Sequence, residues 1–149
     1  MNMKLADIGL KIRPAGSLSL PWPDCDRAVI LINKRDILHL VMKAQDKNGR
    51  EEKFCYHHMP PSALYEGLLE SEKSAGEESA ALLCCTCDYS ECGAVITNVI
   101  KTKDCVVWKD IRDKDREDYF SFSYTFSSEC YKEFMRRLKK AASEEKYTQ

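Results

Sequence analysis

The segment from Phe120 to Ala142 constrains this chain most, because its apolar period changes part of the way along. Phe120, Phe122, Tyr124 and Phe126 alternate with Ser121, Ser123 and Thr125, the period of a strand with an aromatic face for the core and a polar face for water. From there Cys130, Tyr131, Phe134, Met135, Leu138 and Ala142 fall on one stripe of a helix, which Ser127 or Ser128 is placed to cap. A strand that runs straight into an amphipathic helix obliges the helix to lie back on the sheet, since both have an apolar face to bury. The predicted class is therefore α+β.

The rest of the chain supplies the partners. Ile8, Leu10 and Ile12 alternate with Gly9 and Lys11, which predicts an opening strand. Ala28 to Ile32 is a continuous apolar run of strand length, as expected of a central strand covered on both faces. Trp22, between Pro21 and Pro23, reads as a lid over the core edge rather than a surface contact. The next element has two readings. Ile37, Leu38, Val41 and Met42 suit one face of a helix over residues 35–45, the favoured reading. Leu38, Leu40, Met42 and Ala44 also alternate, and Asn48-Gly49 is a hairpin signal that would make Phe54-Cys55-Tyr56 a return strand.

Pro60-Pro61 precedes Leu64, Tyr65, Leu68 and Leu69, a short amphipathic helix with proline in its first turn, where no N–H is needed. Strands are predicted over residues 80–87, 94–100 and 105–108, a three-stranded meander, because these runs are apolar and rich in β-branched residues. Residues 109–118 are mostly charged, with both signs mixed, and read as an exposed loop. The expectation is one domain over residues 1–149: an antiparallel or mixed sheet with about three helices packed mainly on one face.

A formal net charge of −1 disfavours a protein whose main task is to grip a phosphate backbone, so no nucleic-acid partner is expected. The first residues lack the apolar core of a signal peptide, and no segment approaches the ~20 apolar residues of a membrane helix. A soluble, cytoplasmic protein without membrane association is expected, and in that compartment cysteines stay reduced or bind metal.

That matters because four of the eight cysteines lie within Cys84-Cys85-Thr86-Cys87-Asp88-Tyr89-Ser90-Glu91-Cys92. In an extended segment Cys85 and Cys87 point to one face with Cα atoms about 6.5 Å apart, and Cys84 points to the other. Cys92 can return a third sulfur. His57 or His58 is the best fourth donor, with Cys55 and Cys105 in reserve, and the predicted site is zinc held by Cys85, Cys87, Cys92 and His57. The bland alternative is a set of inert thiols, as expected of Cys84 and Cys105 in apolar strands and of Cys130 in the last helix. A thiol redox enzyme using Cys85 and Cys87 is the rival. Asp88 and Glu91 argue against it, because neighbouring negative charge disfavours a thiolate. Motifs for hydrolases, phosphate loops and dinucleotide binding are absent from the chain.

The order Cys85-Thr86-Cys87 with Cys92 resembles the C-S-C-G-x-x-G-C segment of a group of small uncharacterised bacterial proteins. In that group the segment also precedes a strand ending in tryptophan, here Trp108, then an aromatic strand and a C-terminal helix, here Phe122 to Leu138. The segment from Ala28 to Ile37 is similar too. Asp88 and Glu91 stand where the group has glycines. The resemblance implies no particular activity.

The functional expectation is binding rather than catalysis: an adaptor-like or immunity-like protein using the acidic stretch from Glu66 to Glu78. Lys132, Arg136, Arg137, Lys139 and Lys140 on the last helix polarise the molecule, which favours a protein partner or self-association. The enzyme reading requires a histidine or a cation within reach of Cys85 or Cys87.

Overall fold

Residues 4–16, 25–47, 56–85, 93–116 and 118–147 are described by the computed structural model. β1 (Ile8–Arg13) and β2 (Arg27–Ile32) pair antiparallel from Ile8 opposite Ile32 to Arg13 opposite Arg27. β2 is the central strand of a three-stranded sheet and is buried at every position except the half-buried Leu31, as its unbroken apolar run predicts. β3 is only Arg35–Asp36, joined to β2 through Asn33 and Lys34. Both turn residues have positive φ, 50° and 68°, the geometry that two-residue hairpins require. Asn33 is further held by Asp7: its amide donates to the Asp7 carbonyl, and its side-chain oxygen accepts from the Asp7 amide, each at 2.9 Å.

α1 (Ile37–Lys47) follows directly. The helical reading of this region therefore holds, shifted two residues later because Arg35 and Asp36 are still paired with β2. Asp36 sits at the helix start, and its carboxylate accepts from the Leu38 amide at 2.9 Å, an N-cap contact. The return strand of the hairpin alternative, Phe54 and Cys55 included, begins outside the described residues, as does Trp22.

The second sheet has five strands in the order β4 (Tyr56–His58), β5 (Ser79–Cys85), β6 (Ala94–Lys101), β7 (Cys105–Asp113) and β8 (Phe122–Ser127), all antiparallel. β7 corrects the sequence reading, which ended it at Trp108 and placed an exposed loop over residues 109–118. Register shifts between Trp108 and Ile111, where Asp110 has φ 56°. This bulge inserts one residue, so Ile111 and Asp113 continue the inward face of Val106 and Trp108. The charged residues 109, 110 and 112 take the outer positions.

α2 (Pro61–Lys73) lies between β4 and β5 in sequence and buries Leu64 and Leu68 completely. α3 (Ser128–Ser143) is capped by Ser127, whose hydroxyl accepts from the Cys130 amide at 3.2 Å. It buries Tyr131, Phe134 and Leu138 around Trp108, whose ring meets Phe126, Tyr131 and Phe134 edge-on. α2 packs on β5 and β6, α3 packs on β1, β7 and β8, and the two helices lie against each other; α1 covers β2, β3 and β4.

One sheet was expected, and two antiparallel sheets are found, joined on both sides. The Ala28 amide donates to the Met59 carbonyl at 2.8 Å, and the Ala6 amide donates to the Thr125 carbonyl at 2.7 Å. A single apolar cluster runs through both, from Ile30 through Leu64 to Trp108 and Phe134. The described residues form an α+β fold with three helices. Among the described residues, no helix is long and apolar enough to cross a membrane.

Candidate functional site

The cysteine-rich segment leaves β5 at Cys85 and re-enters the sheet at Gly93, and these two positions are in contact: the Cys85 amide donates to the Gly93 carbonyl at 3.1 Å. Cys87 and Cys92 lie outside the described residues. By chain connectivity they are two residues and one residue, respectively, from this closed stem.

β4 lies beside the stem. Tyr56 pairs with Cys85, His57 with Cys84 and His58 with Leu83. Directly opposed residues project to the same side of a sheet, so the pairing sorts the predicted donors. Tyr56 and Cys85 are buried, at 4% and 5% exposure, on the core side, while His57 and Cys84 are half-buried on the other. His57 does come to the cysteine segment, but the thiol that shares its face is Cys84. The expectation that Cys84 is a core residue is corrected accordingly, and so is that for Cys105, also only half-buried.

The His57 ring is oriented by the backbone. Its Nε2 lies 2.8 Å from the Cys85 carbonyl oxygen, which can only accept, so Nε2 donates to it. Cys84 Sγ points back to β4, 3.7 Å from the His57 carbonyl and 4.0 Å from that of His58. The His58 carbonyl also accepts from Nη1 of the buried Arg27 at 3.1 Å. Among the described residues, no three His, Cys, Asp or Glu side chains are grouped so as to hold a metal ion; His57 and Cys84 are two.

Among the described residues, one buried and one half-buried polar cluster flank this stem. On the core side the Tyr56 hydroxyl donates to Asp113, a carboxylate with no solvent exposure. Asp113 also accepts from the amides of Asp115 and Arg116 at 2.9 and 3.0 Å, and the Arg116 guanidinium is 3.4 Å away. Burial, then the hydrogen bond to Asp113 and its charge, push the Tyr56 hydroxyl far above the usual tyrosine range. This cluster anchors the end of β7 beside the stem, and Lys114 extends the link by donating its amide to the Ala94 carbonyl at 2.9 Å.

The second cluster joins β4 to α1. His58 Nε2 lies 2.9 and 3.0 Å from the two carboxylate oxygens of Asp36. Burial works against the charged form of Asp36. The hydrogen bonds from His58 and the Leu38 amide, with the charges of His58 and His39, outweigh it and hold the carboxyl below its usual range. His58, the alternative to His57 in the sequence reading, is thus engaged with Asp36. Asp36 and Asp113 were not singled out in the sequence. The signals were an aspartate before an apolar helix and one among mixed charges, and both patterns are common on surfaces.

Comparison with protein-family models, with curated proteins and with solved structures finds no match to this chain.

Proposed function

We propose that the chain is a binding domain of the adaptor type in which the cysteine segment holds a structural zinc ion. The observation that carries this reading is the β4–β5 register, which sets His57 across from Cys84 at the root of a closed stem flanked by further thiols. The revised donor set is Cys84, Cys87, Cys92 and Nδ1 of His57. A hydrogen-bonded Nε2–H on a backbone carbonyl is the outer-shell contact that metal-binding histidines usually make. Cys85, first assigned as a ligand, becomes a packing residue beside Tyr56. Zinc here would act through folding: thiolates and imidazole at about 2.0–2.3 Å from one ion tie the two strands to the segment between them.

Elemental mass spectrometry of protein purified without chelator or affinity metal tests the proposal. One equivalent of zinc is expected in the wild type and in Cys85→Ala, with loss of the metal in His57→Ala and Cys84→Ser. Metal-free wild-type protein, or zinc retained by both His57→Ala and Cys84→Ser, would refute this donor set.

Thiol chemistry is the second reading, and one observation favours it: Cys84 faces His57, and the carbonyl beside its sulfur also binds the Arg27 guanidinium. Cations near a sulfur favour thiolate. That reading predicts fast, selective alkylation of Cys84 by iodoacetamide at neutral pH in metal-free folded protein; slow alkylation sinks it.

A further inference from the structure

The contact between α2 and α3 leaves an open groove of ≈ 480 Å³, within the size range of ligand-binding clefts. Its apolar surface comes from Tyr65 and Leu69 of α2, Val106 of β7 and Met135 of α3. Its cationic lining comes from Lys132, Arg136 and Lys139 of α3 and from Lys101 at the end of β6. Two of these cations are already matched: Lys101 lies 3.4 Å from Glu72, and Arg136 lies 2.6 Å from Glu133. Lys132 and Lys139 have no ion-pair partner among the described residues. The Ser128 hydroxyl, on a residue bordering the groove, lacks a hydrogen-bond partner among the described residues.

We propose that this groove docks an acidic amphipathic segment of a partner protein. Charge complementarity selects the sign of the ligand, and the spacing of the charges selects its size. Lys132, Arg136 and Lys139 are spaced at i, i+4 and i+7, which on a helix spreads them along about 10 Å. One carboxylate headgroup on an aliphatic tail satisfies one of those positions. A peptide with several carboxylates satisfies them together while its apolar side chains cover Met135 and Leu69, the arrangement of helix-in-groove recognition.

A second copy of the chain is the rival occupant: its α2 carries Glu66 and Glu70, but the half-buried apolar residues beside them, Tyr65 and Leu69, line its own groove. The inference rests on the binding-domain reading and not on the metal, and the two fail separately: metal content tests the cysteine segment, and peptide binding tests the groove.

The probe is a fluorescently labelled helical peptide with glutamates on one face and leucines on the other, titrated with the full chain and followed by anisotropy. Lys132→Glu combined with Lys139→Glu reverses two exposed charges and leaves the Arg136–Glu133 pair in place. Saturable binding is expected, weaker at raised salt and reduced about tenfold or more in the double variant. The proposal is overturned by equal binding to the double variant, or by equal binding of a glutamate peptide lacking leucines. Displacement of the peptide by dodecanoate at matched concentration would also overturn it, as would salt-sensitive dimerisation with no peptide binding. A correct fold of the double variant is checked by its circular dichroism and unfolding midpoint.

Discussion

Replacing Tyr56 by phenylalanine removes one oxygen from the structure and leaves the buried Asp113 carboxylate short of a donor. Asp113 has no solvent exposure, so water does not take the place of the lost hydroxyl without rearrangement. The amides of Asp115 and Arg116 and the Arg116 guanidinium remain, so the loss is one charged hydrogen bond and not a stranded ion. Such a bond is worth about 1.5–3 kcal/mol. For a chain of this length that lowers the thermal midpoint by about 5–10 °C. Urea unfolding followed by circular dichroism measures it, with Asp113→Asn and the double variant completing a cycle.

The alkaline limb provides an independent check. A hydroxyl whose folded pKa is raised above the unfolded value of 10.0 contributes stability that is fully present below pH 10 and is lost as pH rises toward the folded value. Wild-type stability should therefore fall more steeply above pH 10 than that of Tyr56→Phe. The raised hydroxyls of Tyr124, Tyr131 and Tyr147 leave a residual slope in both. A Tyr56→Phe variant as stable as the wild type, with an unchanged alkaline slope, would refute the burial argument.

Asp36→Asn keeps a capping oxygen for Leu38 and removes the charge that faces His58. Because the folded carboxyl lies below its ordinary value of 3.8, its stabilisation is present above that pH and is lost as pH falls through the lower folded value. The variant should be about 0.5–1 kcal/mol less stable at pH 7, a modest figure because the Asp36 side chain is 33% exposed, and its acid limb should be shallower in urea titrations. Ser127→Ala should cost about 1 kcal/mol through loss of the Cys130 cap, read as a lower urea midpoint with an unchanged slope.

The α+β class was legible because two strong periods sit side by side near the C-terminus, where Phe126 and Phe134 bury themselves against the same tryptophan. β7 was cut short for a definite reason. The bulge at Asp110 displaces the inward parity, so Ile111 and Asp113 no longer match the alternation begun at Val106. β3 was missed because a strand of two residues carries no period, and its turn uses Asn33-Lys34 instead of a glycine.

The candidate site divides along the same line. Local alternation separates Cys84 from Cys85 correctly. Which of them His57 meets depends on the β4–β5 register, a contact across 27 residues of chain that includes the whole of α2. The groove was legible only as a row of cations. Its apolar floor needs the docking of α2 on α3.

The hydrogen bond between Cys85 and Gly93 has a consequence for how the segment between them is closed. The sheet already holds the two ends of the thiol segment together, so the closure entropy of that segment is met by the β5–β6 pairing itself. The β5–β6 register is therefore set by the scaffold and does not wait on the thiols between its ends.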